Sequence, residues 1–244
     1  MISMFQISVL TNSGGRDINE DSFGFADFAD RSCYIVCDGL GGHGMGDVAS
    51  RLVKDFFVES IKHGETSEDY LRMAFEGAQA RLLDEQALAG AKNKMRTTAA
   101  VCVREGDLVT FGHIGDSRVY AFSDDGRYLR THDHSMPEVL ALSGQIDESE
   151  IRHHPDRNIV LKAMGSEWER PMYEIGTPIS LDKCRAILLC SDGFWELITE
   201  AEMYSCLRSS ADPDEWLSKM ESIVLSNGTD KKMDNYTAIA IINK

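Results

Sequence analysis

An α+β fold with largely antiparallel strands is expected from three features of the chain. Strand and helix periodicities arrive in blocks: strands, two helices, a meander of strands, further strands, two helices and a closing strand. That order departs from the regular βα alternation of a doubly wound sheet. Glu105-Gly106-Asp107 and Asp124-Asp125-Gly126 are hairpin turn signals between neighbouring strand-like runs. No Ser/Gly-rich linker, internal repeat or low-complexity segment breaks the 244 residues, and prolines number only 5. One domain over residues 1–244 is therefore expected.

The elements follow in order. Gln6–Thr11 and Ser22–Phe28 read as short strands, and Ser32–Cys37 is an apolar run rich in aromatic and β-branched residues, which suits a buried strand. A glycine-rich turn, Gly39 to Gly46, leads into Val48–Lys62, where Leu52, Val53, Phe56, Phe57 and Ile61 recur at helical spacing. Ser67–Leu88 repeats that pattern through Leu71, Ala74, Phe75, Ala78, Leu82 and Leu83. Thr98–Arg104, Leu108–Ile114, Arg118–Ser123 and Arg127–Arg130 form the meander. From His132 to Arg170 the chain is polar with one short helix, Met136–Leu142; stretches of that length in a compact domain often carry function. Strands resume at Met172–Gly176 and Cys184–Cys190, helices at Glu200–Leu207 and Asp214–Leu225, and Tyr236–Ile242 closes the chain.

Composition narrows the function. Hydrophobic residues make up 43% and charged residues 27%, which is enough apolar content for a sizeable core and excludes a largely disordered chain. Forty acidic residues against 25 Lys and Arg give a net charge of −15. With no basic run to offset it, that field argues against nucleic acid and against an anionic membrane surface. No apolar run approaches the roughly 18 residues of a membrane span, and Met1–Leu10 has neither the basic start nor the apolar stretch of a signal peptide. Cys33, Cys37, Cys102, Cys184, Cys190 and Cys206 lie mostly in apolar runs without a Cys-x-x-Cys pair. A reduced, cytoplasmic protein is expected.

Carboxylates recur where apolar strands end. Asp38 follows Ser32–Cys37, Asp116 follows Phe111–Gly115, Asp192 follows Ile187–Ser191, and Asp234 precedes Tyr236–Ile242. Taken singly, each is ordinary turn chemistry. If the strand ends converge on one sheet edge, four carboxylates cannot all stay ionised without cations, and Mg²⁺ or Mn²⁺ suits an all-oxygen site. Gly39-Leu40-Gly41-Gly42-His43-Gly44 also fits the Gly-x-Gly-x-x-Gly dinucleotide pattern. Two features disfavour that reading. Asp38 places negative charge where a pyrophosphate would lie, and a second helix follows the first in place of a strand. Thr131-His132-Asp133-His134-Ser135 and His153-His154-Pro155 suggest zinc only weakly, because no cysteine or fourth ligand lies near them in sequence. Phe194-Trp195 is expected to pack in the core.

Five segments together resemble the PPM class of metal-dependent serine/threonine protein phosphatases, the protein phosphatase 2C family, in its compact bacterial form. Arg16-Asp17-Ile18-Asn19-Glu20-Asp21 is similar to the family's Arg-x-x-Asn-Glu-Asp, and Cys37-Asp38-Gly39-Leu40-Gly41-Gly42-His43 to its Ala-Asp-Gly-Met-Gly-Gly-His. Gly115-Asp116-Ser117-Arg118, Ser191-Asp192-Gly193 and Asp234-Asn235-Tyr236-Thr237 resemble its remaining motifs, in the family's order. Each motif alone is weak; five in order, spanning about Thr11 to Ile242, are specific.

The resemblance implies a four-layer αββα sandwich of two antiparallel sheets flanked by helices, with metals in a cleft at one edge. It implies that Asp38 bridges two Mn²⁺ or Mg²⁺ ions and that the Gly39 carbonyl binds one of them. Asp192 and Asp234 would complete the first metal's shell. Glu20, or Asp21 beside it, would hold the second through water, and Asp116 with Asp192 would bind a third, weaker one. Arg16 would clamp the substrate phosphate with its planar fork. The implied reaction is hydrolysis of phosphoserine and phosphothreonine on proteins by a water activated between two cations, without a phosphoenzyme. A cognate bacterial Ser/Thr kinase and its targets are the implied substrates or antagonists. The alternative is a catalytically silent relative that only binds partners; loss of Arg16, Asp38, Asp192 or Asp234 would have pointed to it, and all four are present. Leu40 stands where many eukaryotic members have a histidine assigned to the leaving-group proton, and Arg96-Thr97-Thr98 replaces the common Gly-Thr-Thr. His43 stands nearby, and either that proton role or a structural one on the glycine turn is open to it; Met136–Ile159, within the flap, is the expected substrate-contact region.

Overall fold

The structure, a computed structural model, describes residues 5–28, 30–40, 44–63, 66–92, 94–229 and 232–243. Eleven strands are present among them: β1 (Gln6–Asn12), β2 (Ser22–Asp27), β3 (Arg31–Cys37), β4 (Ala99–Glu105), β5 (Leu108–Ile114), β6 (Arg118–Phe122), β7 (Tyr128–Arg130), β8 (Glu174–Ile175), β9 (Ile179–Ser180), β10 (Ala186–Cys190) and β11 (Tyr236–Ile242). The helices are α1 (Gly46–Ser60), α2 (Ser67–Leu88), α3 (Met136–Leu142), α4 (Asp192–Trp195), α5 (Glu200–Arg208) and α6 (Pro213–Gly228). Strands β1-β11-β10-β6-β7 form one antiparallel sheet. Strands β2-β3-β4-β5-β8 form the other, with β9 also on β5.

Alternation along β3 shows why the strands stack as two sheets. Cys33, Ile35 and Cys37 face the core shared with α1 and α2, while Tyr34 and Val36 face the core between the sheets. Both sets are fully buried, which is why β3 reads as a continuous apolar run and not as an alternating one. From the second sheet, Val119, Ile187, Leu189, Ile239 and Ile241 fill the same central layer. Its other face, with Tyr120, Leu188 and Ala240, packs under Met203, Trp216 and Met220 of α5 and α6. Each fully buried large apolar side chain contributes roughly 1.5–3 kcal/mol. The layers are helix, sheet, sheet, helix, as expected.

Local chemistry sets the helix starts. Thr66 caps α2 by accepting from Asp69 N, Thr199 and Glu202 form a reciprocal capping box on α5, and Asp212 caps α6 with Pro213 in the first turn. One sequence expectation narrows, and two short elements were not expected. Met172–Gly176 narrows to β8, because only Gly112 and His113 of β5 offer it pairing partners. The two-residue β9 and the single turn α4 are too short to show a period in the sequence. All six cysteines are free and buried. No helix among the described residues is long and apolar enough to cross a membrane.

Candidate metal centre

Register places the acidic strand ends together. Ser22 pairs with Cys37, Ala99 with Ile114, and Cys190 with both Arg118 and Ala238. The start of β2, the end of β3, the β5–β6 turn, the end of β10 and the start of β11 therefore share one edge of the sandwich.

The backbone of Asp38 is pinned there. Its N–H donates to Thr98 Oγ1 at 2.9 Å, and its carbonyl accepts from Thr98 N at 2.9 Å and from Thr97 Oγ1 at 2.8 Å. Arg96, in place of a glycine, still supplies a carbonyl to Leu40 N at 2.9 Å, so the turn survives the exchange. Gly39 has no room for a side chain: a Cβ would lie 2.4 Å from Gly46 O and 2.6 Å from Glu20 O. That contact joins the turn after β3 to the residue before Asp21 and to the start of α1. Glu20 receives a hydrogen bond from the Gly46 backbone at that helix start. Gly41, Gly42 and His43 lie outside the described residues, so neither role open to His43 is addressed by the structure.

Asp21 is buried; its Oδ2 accepts from Ser191 Oγ at 2.8 Å, and that hydroxyl in turn accepts from Thr237 N at 2.9 Å. Asp116 is buried in the β5–β6 turn, and its carbonyl accepts from Trp195 Nε1 at 2.9 Å. Asp192 opens α4 and shares a hydrogen bond with the Asp38 carboxyl. Asp234 is half exposed and pairs with Arg16 at 2.7 Å. Asn235 ties the edge together: Glu20 N donates to its Oδ1, and its Nδ2 donates to Ser13 O and Ile18 O.

Electrostatics confirm the crowding. Desolvation first, then the charges of Asp192, Asp21 and Asp116, hold the Asp38 carboxyl well above the usual range. Desolvation and Asp192 do the same to Asp116. Asp192 is raised by desolvation and then by Asp234. Asp21 is pushed up to about 7 by desolvation, in spite of hydrogen bonds from Thr237 and Ser191. Arg16 is raised by its hydrogen bond and charge contact with Asp234, with smaller contributions from Asp192 and Glu20.

This donor set fits a hard divalent cation. Every ligand type is oxygen, and Asp21 Oδ1 and Asp116 Oδ1 are buried with no hydrogen-bond partner among the described residues. A cation among these groups would reverse their upward shifts. A separate trio, His113, His134 and Glu174, has donor atoms within 4.8 Å of one another. Its two imidazoles stack at 4.7 Å and 20°, with His113 Nε2 engaged by His132 O and His134 Nδ1 by Gly115 N–H. The carboxylate edge, unlike this trio, offers the all-oxygen donor set that suits Mn²⁺ or Mg²⁺. His153 ends the 3₁₀ turn Glu148–His153, His154 follows it, and neither belongs to this trio.

One consequence is a pH-dependent stability of the metal-free protein. In the folded state these carboxyls bind protons that the unfolded chain releases at its ordinary pKa near 4. Between that value and about 7 for Asp21, the folded form holds more protons, so stability falls as pH rises. Melting in chelator is expected at a lower temperature at pH 8 than at pH 5.5, with Mn²⁺ raising the melting point most at pH 8, where it displaces fewest protons. Scanning calorimetry across that range, with and without Mn²⁺, checks both signs.

The cleft at this edge has a volume of about 520 Å³, lined by Arg16, Arg157, Asp192, Glu196, Lys232 and Asp234. A larger concavity of about 1110 Å³ lies between the β6–β7 hairpin and α5 and contains none of the strand-end carboxylates. The sequence reading missed Ser191, Asn235 and Trp195 as supports of the site. Trp195 is in the core, as expected, and its indole N–H also anchors Asp116.

An αββα sandwich with an all-oxygen carboxylate edge is the class that fold and site define together. A family model described as protein phosphatase 2C matches residues 14–235. The serine/threonine phosphatase stp of Listeria innocua is 31% identical over 218 residues, covering 85% of this chain and 86% of that protein. The crystal structure of the serine/threonine phosphatase Stp1 from Staphylococcus aureus superposes with a TM-score of 0.89 at 27% identity, covering 99% of this chain and 96% of that one. The catalytic domain of the serine/threonine protein phosphatase PstP, solved with 2 manganese ions, has the same fold, with a TM-score of 0.80 at 23% identity and coverage of 98% and 97%. The chain belongs to the protein phosphatase 2C family.

Proposed function

We infer that the chain is a metal-dependent serine/threonine protein phosphatase, acting as one domain over residues 1–244. Family membership supports the reaction class, and the convergence of Asp21, Asp38, Asp116 and Asp192 with two orphaned carboxylate oxygens is the observation that carries the site. Asp38 and the Gly39 carbonyl would hold the central metal position, Asp192 and Asp234 would complete the first ion's shell, and Glu20 would serve the second through water. Asp21, whose Oδ2 accepts from Ser191, is the alternative to Glu20 there and would offer its unpartnered Oδ1. Asp116 with Asp192 offers a third, weaker position. When bound, Mn²⁺ or Mg²⁺ supplies an acidified water for in-line attack and offsets charge on the phosphoryl oxygens. Arg16 holds the phosphate through its guanidinium fork; its pairing with Asp234 presents that fork at the mouth of the cleft.

The substrates are phosphorylated proteins, and the flap segment Met136–Ile159 contacts them. Exposed Val139, Leu142 and Ile159 give it an apolar surface, and Arg157 reaches the cleft wall through Glu196 at 3.1 Å. A cognate Ser/Thr kinase and its targets are the proposed partners, in the cytoplasm.

The test is hydrolysis of para-nitrophenyl phosphate and of a phosphothreonine peptide. Turnover with Mn²⁺ is expected to vanish after chelation and to return on readdition. Full activity in excess EDTA after removal of bound metal would defeat the metal requirement. A folded protein that binds Mn²⁺ and releases no phosphate would instead support the silent binding relative.

A further inference from the structure

The flap stem and the Asp116 turn meet at a histidine that the reaction does not use. Gly115, immediately before Asp116, has φ of +99°, and a Cβ there would lie 2.5 Å from Thr98 Cγ2. Its peptide group is gripped on both sides by His134. The His134 backbone N–H donates to Gly115 O at 2.8 Å, and Gly115 N–H donates to His134 Nδ1 at 3.2 Å.

That second bond fixes the imidazole tautomer. Nδ1 must present its lone pair, so in the neutral ring the proton sits on Nε2. Nε2 lies 2.9 Å from Glu174 Oε1, the acceptor such a proton needs. Glu174 belongs to the short edge strand β8 and also accepts from Lys162 Nζ at 3.1 Å. Leu161 N donates to His134 O at 2.7 Å. Lys162 and Leu161 thus tie the returning end of the flap to the same histidine. His113 stacks on the opposite face and spends its Nε2 on His132 O at 2.7 Å. Asp116 is then held from two directions: through Gly115 by His134, and at its own carbonyl by Trp195. Only its Oδ1 is left buried and unpartnered.

We propose that His134 and Glu174 are positioning residues that aim the Asp116 carboxylate into the metal centre and link that aim to the base of the flap. The inference rests on the reading of Asp116 as a ligand of the weaker metal position. Partners of this kind, one step behind a ligand, typically change metal affinity or activity by about 10–100-fold when removed.

The variants are chosen by atom. His134→Asn keeps an acceptor at the place of Nδ1, whereas His134→Phe keeps ring volume and loses it. Glu174→Gln keeps an acceptor for the Nε2 proton, and Glu174→Ala frees the ring to carry its proton on Nδ1, where it would oppose Gly115 N–H. Mn²⁺ titration calorimetry on the full chain, melting curves in chelator, imidazole ¹⁵N NMR and steady-state kinetics on a phosphothreonine peptide are the readouts. His134→Phe and Glu174→Ala are expected to weaken the lowest-affinity Mn²⁺ site by roughly 10-fold or more, raising the Mn²⁺ needed for half-maximal kcat while KM for the peptide holds. His134→Asn and Glu174→Gln should stay within about 3-fold of the parent. NMR should show His134 with its proton on Nε2 in the parent and a mixed tautomer in Glu174→Ala.

Three results would overturn the proposal. One is unchanged Mn²⁺ affinity in both His134→Phe and Glu174→Ala, whatever happens to their melting temperatures. Another is a proton on His134 Nδ1 in the parent. The third is stoichiometric Zn²⁺ uptake that depends on His113, His134 and Glu174, which would make the trio a metal site of its own. If the parent binds Mn²⁺ but hydrolyses no phosphoprotein, the phosphatase reading fails alone, and the calorimetric comparison still decides the role of His134.

Discussion

Asp38→Ala is expected to abolish turnover while making the metal-free protein more stable. Both halves follow from its place among the other carboxylates. Asp38 is raised by Asp192, Asp21 and Asp116 after desolvation, so its ionised form adds repulsion to a crowded edge. Removing it relieves that repulsion, and the backbone bonds to Thr97 and Thr98 do not depend on the side chain. The melting temperature in chelator should rise, and the increase on adding Mn²⁺ should shrink. Activity moves the other way. Charge stabilisation by bound metal is worth several kcal/mol, and each 1.36 kcal/mol is tenfold in rate, so loss of the central ligand should lower kcat by on the order of 10³-fold or more. Asp38→Asn, which keeps the shape and drops the charge, should show the same opposition. Kinetics on a phosphothreonine peptide, Mn²⁺ calorimetry and melting in chelator decide the case together. A variant with parental Mn²⁺ affinity and turnover would reduce Asp38 to a turn residue.

The same edge shows what a sequence can carry. Asp38, Asp116, Asp192 and Asp234 were legible because each ends or begins an apolar run, and antiparallel register then brings such ends to one side. Strands β3, β10 and β11 were legible from their buried, mainly apolar runs, and β4 and β5 also from the Glu105-Gly106-Asp107 turn signal between them. Strand β8 was expected with wider bounds, while β9 and the turn α4 were not, since two to four residues carry no period. The supports of the site were hidden for a different reason. Asn235 serves Ser13, Ile18 and Glu20, more than 200 positions away, through backbone groups that leave no mark on residue type. The fold also sets Glu20 and Asp21 in different surroundings, with Asp21 buried against Ser191 and Glu20 beside the start of α1, and residue type alone did not show that. The segment Thr131–Ser135 suggested zinc weakly. In the structure its aspartate holds an arginine and its second histidine holds a turn.

That aspartate carries the largest expected effect on folding. Arg118 and Asp133 are about 2% and 1% exposed, and they meet through two bonds of 2.8 and 2.7 Å. A charged residue at the head of an otherwise apolar, fully buried strand demands such a partner, so Arg118 in Gly-Asp-Ser-Arg was itself a sequence signal for one. Arg118 also donates to Tyr120 Oη at 2.9 Å and lies 3.4 Å over the Trp195 ring, the same indole that anchors Asp116. Asp133→Ala leaves a guanidinium buried beside an aromatic face with Glu200, at 3.6 Å and already paired to Arg152, as the remaining carboxylate. Breaking a buried pair on one side destabilises by about 3–5 kcal/mol. For a chain of this size, that lowers the melting temperature by on the order of 10 °C. Replacing both partners with apolar residues of similar volume, Arg118→Met with Asp133→Leu, should be less harmful than Asp133→Ala alone, because the larger penalty comes from the unpaired charge. Thermal melts of the two single variants and the double variant close the cycle. If Asp133→Ala melts with the parent, water or Glu200 reaches Arg118 and the pair does not brace the edge. If it melts far below the parent and the double variant recovers, the loss comes from the unpaired charge, and an apolar pair of similar volume braces the core around Trp195 as well.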